Sequence, residues 1–205
     1  MYKLYDFLPS GNSYKVRLLL TQLQIPFKLI QLNILDRETR TPEFLAKNPN
    51  GKIPLLEIAP DTYISESNAI LYYLSQGTEY FPQDKYQQAK VMQWLFFEQY
   101  SHEPNIATPR FWITELKQAD KYREQIEQKR QLGYKALEVM EQHLKKHDFF
   151  VADRYSIADI GLYAYTHVAE EGEFDLSKFL SINSWFKRVQ SQPGHILITD
   201  SQLGN

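Results

Sequence analysis

The feature that most constrains this chain is a proline at the head of a largely apolar segment, in the stretch NPNGKIPLLE over residues 48–57. Residues 55–58, which follow Pro54, have the composition of a short strand. Because proline has no backbone N–H, it cannot complete the hydrogen bonding of a central strand. The Ile53-Pro54 peptide therefore marks a sheet edge, a bulge or a cis bond. A cis bond would indicate a turn that leaves neighbouring backbone groups available to a ligand.

The chain before this proline alternates strand and helix patterns. A short strand over residues 3–7 is followed by a turn at 8–13, and then by apolar residues at i, i+3, i+4 and i+7 that predict a helix. A second strand over residues 27–32 completes a βαβ unit. The two strands are therefore expected to be parallel neighbours.

The segment around and after the proline predicts a ββα unit. A short helix starts with Pro42, and strands over 53–58 and 63–64 read as a hairpin. Ser65 has the residue type of an N-cap, so we expect the next helix to begin at Glu66. The combined element order, βαβ-α-ββα, is that of a thioredoxin-like fold.

The chain is predicted to form two domains, because no strand-like alternation returns after this region. Residues 1–77 are expected to be the α/β thioredoxin-like domain, residues 78–83 a linker, and residues 84–205 an all-α domain. In the second domain, Ser156 and Asp159 have the spacing of a capping box at the start of an apolar helix. We interpret this pair as a folding feature and not as a catalytic one.

Composition excludes several classes of function. The chain has no cysteine, so disulfides, thiolate metal sites and thiol–disulfide exchange by its own side chains are impossible. Its net charge of −2 gives no electrostatic reason to expect nucleic acid or an anionic membrane as a partner. With no apolar run of membrane-spanning length and no signal-peptide pattern, a soluble cytoplasmic protein is expected. His143 and His147 have no evident third ligand, so no metal is predicted.

Three stretches could carry chemistry, although a turn or a helix cap explains each one by itself. Residues 10–13 open the first helix, whose N-terminus would stabilise a thiolate. Glu66 and Ser67 open the third helix and would suit the ammonium and carboxylate of an amino acid. The Ile53 backbone could pair with a peptide-like ligand. Because a thioredoxin-like fold brings these element ends together, the set describes glutathione.

The same stretches carry a resemblance to a known family. The segments are NPNGKIPLLE, ISESNAILYYL, WLFFEQYSHEP and FFVADRYSIADIGLYAY. With them the chain resembles the cytosolic glutathione transferases, particularly bacterial members, over essentially its whole length. The resemblance implies glutathione as co-substrate, no metal and a homodimer. Phe44 is then either an aromatic inserted into the partner or a residue packed under its own helix.

The resemblance also implies roles for residues at the glutathione site. Pro54 would be the cis-proline, and Ile53 would bind the cysteinyl backbone through its main chain. Glu66 and Ser67 would hold the γ-glutamyl group. Arg40 would bind the glycyl carboxylate with help from Lys52, although Arg40 can equally be a solvated surface charge.

The thiol-activating group has two candidates. Ser10 falls where serine-type enzymes of the family carry the catalytic hydroxyl. Some bacterial relatives instead use an asparagine two residues later, where this chain has Asn12. We expect Ser10 to be the activator, with Asn12 as the alternative.

The implied reaction is attack of the glutathione thiolate on a small hydrophobic electrophile, a detoxification chemistry. The electrophile is expected in an apolar cleft between the domains, although each candidate wall residue could equally be helical core. The candidates are Tyr100, Ile106, Phe111, Trp112 and Tyr163. Two other readings stay open: a glutathione-dependent disulfide reductase or peroxidase, and a non-catalytic interaction module. Retention of both Glu66 and Ser67 favours ligand binding over the module.

Overall fold

A computed structural model describes residues 1–201 and divides the chain into two compact units. The first unit comprises residues 1–76 together with the segment that begins at Pro193, and the second comprises residues 77–192. The prediction had assigned all of 84–205 to the helical domain, so the structure differs from it at the C-terminal end. Residues 202–205 of that prediction lie outside the described residues.

The first unit contains a four-stranded mixed sheet in the order β2-β1-β3-β4. Its strands are β1 (Tyr2–Asp6), β2 (Phe27–Gln31), β3 (Leu55–Ala59) and β4 (Thr62–Ser65). β1 and β2 are parallel, with Tyr2 opposite Phe27, while β3 pairs antiparallel with both β1 and β4. The predicted βαβ unit and the predicted hairpin are both confirmed.

Three helices accompany this sheet: α1 (Gly11–Gln22), α2 (Pro42–Leu45) and α3 (Ser67–Ser75). The predicted start of α3 is wrong by one residue, because Ser65 still belongs to β4, where it lies opposite Leu55. Glu66 is the N-cap instead, with φ 68° and ψ 114°. A single residue therefore makes the whole turn from strand to helix.

The C-terminal segment belongs to the first unit because it supplies backbone acceptors to α1. The Tyr14 hydroxyl donates to the Ile196 carbonyl at 2.8 Å. The fully buried Arg17 guanidinium donates to the carbonyls of Ile198 at 3.1 Å and Asp200 at 3.3 Å. These bonds satisfy polar groups of a buried helix, which explains why the segment returns to this unit.

The second unit is built from helices. They are α4 (Lys85–Phe97), α5 (Glu103–Arg110), α6 (Arg123–Leu144), α7 (Ile157–Thr166) and α8 (Leu180–Gln190). π-helical turns at Glu98–His102 and Phe111–Glu115 flank α5. The core includes aromatic rings in mutual contact. The ring centroid of Phe150 lies 4.7 Å from that of Trp94 and 5.2 Å from that of Trp185.

The predicted capping box at α7 is confirmed. Asp159 accepts a hydrogen bond from the backbone N–H of Ser156 at 3.0 Å, while the Ser156 hydroxyl accepts from the Ala158 N–H at 3.3 Å. Asp159 also accepts from the Phe150 N–H at 3.2 Å and the Trp185 indole N–H at 3.0 Å. The residue thus joins the start of α7 to the aromatic core, which supports the structural interpretation.

Candidate active site

An open pocket of about 400 Å³ lies in the first unit, beside the N-terminus of α1. Its lining residues are Ser10, Asn12, Ile34, Arg37, Thr39, Arg40, Gly51, Lys52 and Ile53. Five of them, Ser10, Asn12, Arg40, Lys52 and Ile53, are residues that the sequence singled out. Chain segments far apart in sequence therefore meet at one concave surface, as a binding site requires.

Ser10 is the N-cap of α1. Its Oγ accepts a hydrogen bond from the Ser13 N–H at 3.3 Å. A hydroxyl that accepts one hydrogen bond still has its own proton to donate. The residue can therefore cap the helix and donate to an anion in the pocket at the same time, next to the positive end of the α1 dipole.

Asn12 links the start of α1 to the start of α3. Its Oδ1 accepts hydrogen bonds from the Lys15 Nζ at 2.8 Å and from the Ser67 Oγ at 3.2 Å. The two element ends that the sequence analysis expected to lie close together are therefore in direct contact.

Lys15 completes this cluster and was missed by the sequence analysis. Its side chain is fully buried, and its Nζ also donates to the Ser67 Oγ at 3.2 Å and to the Asn68 Oδ1 at 3.5 Å. A signal was present, because Lys15 lies four residues before Leu19 and therefore on the apolar face of the predicted helix. A lysine at such a position either points to an interior polar site or interrupts the core.

Glu66 and Ser67 stand at the N-terminus of α3 with different surroundings. Ser67 is 4% exposed, whereas Glu66 is exposed and has the positive φ described above. An exposed carboxylate can pair with an ammonium group, and the first N–H groups of a helix can donate hydrogen bonds to a carboxylate. The pair can therefore recognise both charges of an α-amino acid.

The Ile53-Pro54 peptide is cis, as the sequence indicated. Ile53 lies two residues before β3 and lines the pocket, so its backbone is just ahead of that strand and beside the candidate ligand. The buried Asn48 fixes this turn by donating from its Nδ2 to the Lys52 carbonyl at 2.8 Å. The NPNGKIP stretch thus shapes one wall of the pocket.

Arg40 is exposed but held in a defined orientation. Its Nη1 donates to the Asn50 carbonyl at 3.0 Å, and its guanidinium lies against Gly51. Gly51 has φ +62°, and a Cβ there would collide with the Arg40 guanidinium. Arg37, a pocket residue that the sequence analysis did not propose, adds a second cation to the same rim. This side of the pocket suits a carboxylate.

The predicted wall residues of the second unit fall into two groups. Tyr100 is 87% exposed, and Phe111 and Trp112 are half-buried. Ile106 and Tyr163 are 0% and 1% exposed. Ile106 and Tyr163 are therefore core side chains, and they cannot offer an open surface to a ligand.

Other expectations concern the fold rather than the pocket. Phe44 is buried and packs edge-on against Tyr5 with ring centroids 5.9 Å apart, so it lies within its own unit. Within residues 1–201, no group of histidine and acidic side chains is arranged to hold a metal ion. The rings of the two histidines considered in the sequence analysis, His143 and His147, stack on each other with centroids 4.6 Å apart. None of the helices described is both long and apolar enough to cross a membrane.

Two family descriptions match the sequence. Residues 1–76 match the glutathione S-transferase N-terminal domain, and residues 89–193 match the glutathione S-transferase C-terminal domain. The first match ends where the N-terminal segment of the first unit ends, and the second covers most of the helical unit.

Several solved structures and named proteins are also similar to this chain. A possible glutathione S-transferase from Rhodopseudomonas palustris is 49% identical, with a TM-score of 0.96 and 98% of each chain covered. The disulfide-bond oxidoreductase YfcG of Escherichia coli is 28% identical over 97% of this chain and 95% of its own. A glutathione transferase from Burkholderia graminis, solved with two glutathione molecules per subunit, is 27% identical. Its TM-score is 0.85, over 98% of this chain and 88% of that chain.

Proposed function

This chain belongs to the glutathione S-transferase family, and we propose that it activates the thiol of glutathione for attack on small hydrophobic electrophiles. The observation that carries the proposal is the hydrogen bond from the Ser67 Oγ to the Asn12 Oδ1, at 3.2 Å. It brings the thiol-stabilising end of α1 next to the amino-acid-binding end of α3. The γ-glutamyl and cysteinyl groups of glutathione are likewise neighbours in one molecule.

Glutathione is held along its whole length in this proposal. Glu66 pairs with the γ-glutamyl ammonium, and the backbone N–H groups at the α3 N-terminus, with that of Ser67 among them, donate to the γ-glutamyl carboxylate. The main chain of Ile53, ahead of Pro54, pairs with the cysteinyl peptide group. The protein groups in these contacts lie at the junction of β4 and α3, for Glu66 and Ser67, and at the cis turn, for Ile53.

The glycyl carboxylate is assigned to the cationic rim of the pocket. Arg40 is supported by its fixed orientation over Gly51, and Lys52 lines the same pocket. With Arg37, three cations line this rim, and they favour a carboxylate there by charge-assisted hydrogen bonding.

The thiol is activated by preferential stabilisation of its ionised form. Ser10 and Asn12 donate hydrogen bonds to the sulfur, next to the positive end of α1. Lowering a thiol pKa from about 8.5 to about 6.5 requires roughly 2.7 kcal/mol of such stabilisation. A charge-assisted hydrogen bond together with a helix N-terminus is sufficient for that amount.

In the chemical step the thiolate electron pair forms a carbon–sulfur bond, and the electrophilic carbon releases its leaving group with the displaced pair. The apolar part of the electrophile is assigned to side chains of the second unit. Tyr100, Phe111 and Trp112 are candidates because they are exposed or half-buried. We assign the protein to the cytoplasm as a homodimer, in keeping with its family and its lack of cysteine.

A second candidate function is glutathione-dependent reduction of disulfides or peroxides. It is supported by the similarity to the Escherichia coli disulfide-bond oxidoreductase and to the relative that holds two glutathione molecules. One glutathione thiolate would attack the disulfide and release a thiolate, and a second would resolve the mixed disulfide as glutathione disulfide. Because this chain has no cysteine, both sulfurs come from glutathione.

The proposal is tested by titrating the thiol of protein-bound glutathione, followed by thiolate absorbance in the ultraviolet. We expect an apparent pKa well below 8.5 that rises in Ser10→Ala or Asn12→Ala. Turnover of an aryl halide compared with bis(2-hydroxyethyl) disulfide then separates transferase from reductase. Binding with an unshifted pKa would contradict thiol activation, and absence of binding would leave only the interaction module.

A further inference from the structure

We propose that Lys15 is a positioning residue of the thiol site: its ammonium group fixes the side-chain amide of Asn12 so that the amide N–H groups, and not the amide oxygen, face the sulfur of glutathione. The inference rests on the proposed function, and it adds a residue from outside the pocket lining. It also separates the roles of Asn12 and Ser10.

The burial of Lys15 is the first observation. Its side chain is 0% exposed on α1, one turn below the pocket-lining Asn12. Lysine is among the residues least often fully buried, and removing an ammonium group from water is costly unless polar partners replace the water. Here the Nζ donates to the Asn12 Oδ1 at 2.8 Å and to the Ser67 Oγ at 3.2 Å. The charge is thus directed at polar side chains at the starts of α1 and α3, with the Asn68 Oδ1 as a third, longer contact at 3.5 Å.

The second observation is the direction of the hydrogen bonds in this triad. Lysine has only donors, so the atom of Asn12 that faces it must be the amide oxygen. Since the Ser67 oxygen accepts from Lys15, the Ser67 proton is available for the same Asn12 oxygen, 3.2 Å away. A flipped Asn12 would place its NH2 group against the ammonium. The triad therefore admits one orientation of the amide, with both N–H donors on the arm opposite Lys15.

This orientation suits an anion and not a neutral thiol. Amide N–H groups donate to a thiolate sulfur, whereas the amide oxygen would repel it. A positive charge on the oxygen side also polarises the amide, which strengthens its N–H groups as donors. Ser10 lacks such support among the described residues: its Oγ keeps a proton for the sulfur, but it accepts only from the neutral Ser13 N–H. Lys15 therefore makes Asn12 the stronger of the two thiolate ligands.

The test compares the pKa of the bound glutathione thiol in wild type and Lys15→Met. We expect the pKa to rise by about one unit, because the amide loses both its fixed orientation and its polarising charge. Lys28→Met is the matched control, since it removes one exposed lysine of β2 far from the triad in sequence. Lys15→Arg keeps the charge and the donors, so the thiol pKa in this variant should lie between those of wild type and Lys15→Met.

A double-mutant cycle separates action through Asn12 from a general loss of packing. In an Asn12→Ala background, Lys15→Met should change the thiol pKa by less than about 0.3 unit. Shifts that add in full would overturn the inference, because Lys15 would then act without Asn12. A wild-type pKa that is already unshifted would instead be a failure of the proposed function. The two failures are therefore distinguishable.

Asn12→Asp keeps the test decisive if Lys15→Met does not fold. This change preserves the side-chain shape and gives Lys15 a carboxylate partner, so the fold should hold. It replaces the two N–H donors with an anionic oxygen beside the sulfur. We expect the thiol pKa to exceed that of Asn12→Ala, and a pKa that stays depressed in Asn12→Asp would refute the donor role of Asn12.

Discussion

Glu66 has a backbone conformation that residues with a side chain rarely adopt, with φ 68° and ψ 114°. Such conformations cost about 1–3 kcal/mol each and persist where the surrounding structure enforces them, often at functional sites. Here the strain has an identifiable consequence. β4 ends at Ser65 and α3 begins at Ser67, so one residue supplies the turn and presents its own carboxylate beside the helix N-terminus.

Glu66→Gly should therefore separate stability from binding. Glycine adopts positive φ without strain, so the free energy of unfolding should rise by about 1 kcal/mol. Loss of the carboxylate should weaken glutathione binding by at least about tenfold, because a charge-assisted hydrogen bond is removed. Chemical denaturation and calorimetric titration measure the two effects.

Asp61→Gly is the control for this change. Asp61 also has a positive φ, 54°, but it lies in the β3–β4 turn and not at the N-terminus of α3. It should keep wild-type affinity for glutathione. Equal loss of affinity in both variants would show that Glu66 does not contact the ligand directly.

Among single residues, those that restrict or permit a particular backbone conformation could be recognised from the sequence. Residues whose role depends on contacts with other elements could not. Pro54 could be recognised because proline limits its peptide bond wherever it occurs. Gly51 likewise permits the positive φ of its turn. Lys15 could not be assigned, because the acceptors that make its burial possible, on Asn12 and Ser67, come from two different helices.

The N-terminus of α7 illustrates how one side chain can hold an element in place. Asp159 accepts from Ser156 in its own cap, from Phe150 before the helix and from Trp185 on α8. Asp159→Ala would leave these buried donors without an acceptor. We expect the free energy of unfolding to fall by about 3 kcal/mol, measured by urea denaturation.

The free energy of unfolding that is lost in Asp159→Ala should depend on pH. Burial raises the pKa of Asp159 to about 7, against the opposing effect of its hydrogen-bond donors. The native protein therefore retains a proton that the unfolded chain releases near pH 4, so this contribution to stability declines as pH rises from about 4 to about 7. The stability difference between wild type and Asp159→Ala should shrink over that range. A gap that widens with pH would contradict the assignment.

Asp153→Ala is the matched surface control. Its side chain is 53% exposed and accepts from the Asp148 N–H at 3.0 Å. The change should cost less than about 1 kcal/mol, since solvent replaces the lost acceptor and also screens its contact with the exposed His147 Nδ1, 3.0 Å away.

Element order could be predicted because strands, amphipathic helices and capping boxes each leave a local pattern. Element ends were harder. Ser65 has the residue type of an N-cap, yet its pairing with Leu55 keeps it in the sheet. The π-helical turns beside α5, which contain Tyr100 and Trp112, have no sequence pattern of their own.

For the whole molecule, the distinctive feature is the C-terminal segment that completes the first unit. Arg17 lies beside the buried Asp6, with the Nε and Oδ1 atoms 3.7 Å apart, and its guanidinium reaches the carbonyls of Ile198 and Asp200. The division into an α/β and a helical region was predicted correctly. The return of this segment to the first unit was not predicted. Its contacts with Arg17 use backbone carbonyls, which every residue has, so they leave no pattern in the sequence.

Arg17→Met should destabilise the fold and loosen the C-terminal segment together. It leaves Asp6 buried without its counter-ion, which costs about 3–5 kcal/mol. Limited proteolysis should then cleave after residue 193 before it cleaves elsewhere, as followed by mass spectrometry. Arg188→Met, which removes a partly exposed arginine from α8, should change stability by less than about 1 kcal/mol. An uncut segment in Arg17→Met would show that other contacts hold it.

The discontinuous first unit also affects the order of events during synthesis. Tyr14 and Arg17 are translated roughly 180 residues before the residues whose carbonyls they bind, which are 196, 198 and 200. The ribosome must therefore release the chain through residue 200 before α1 has all of these partners. Domains usually fold in the order in which they emerge. In this protein the helical unit, which needs only residues 77–192, has its full sequence outside the ribosome before the unit that precedes it does.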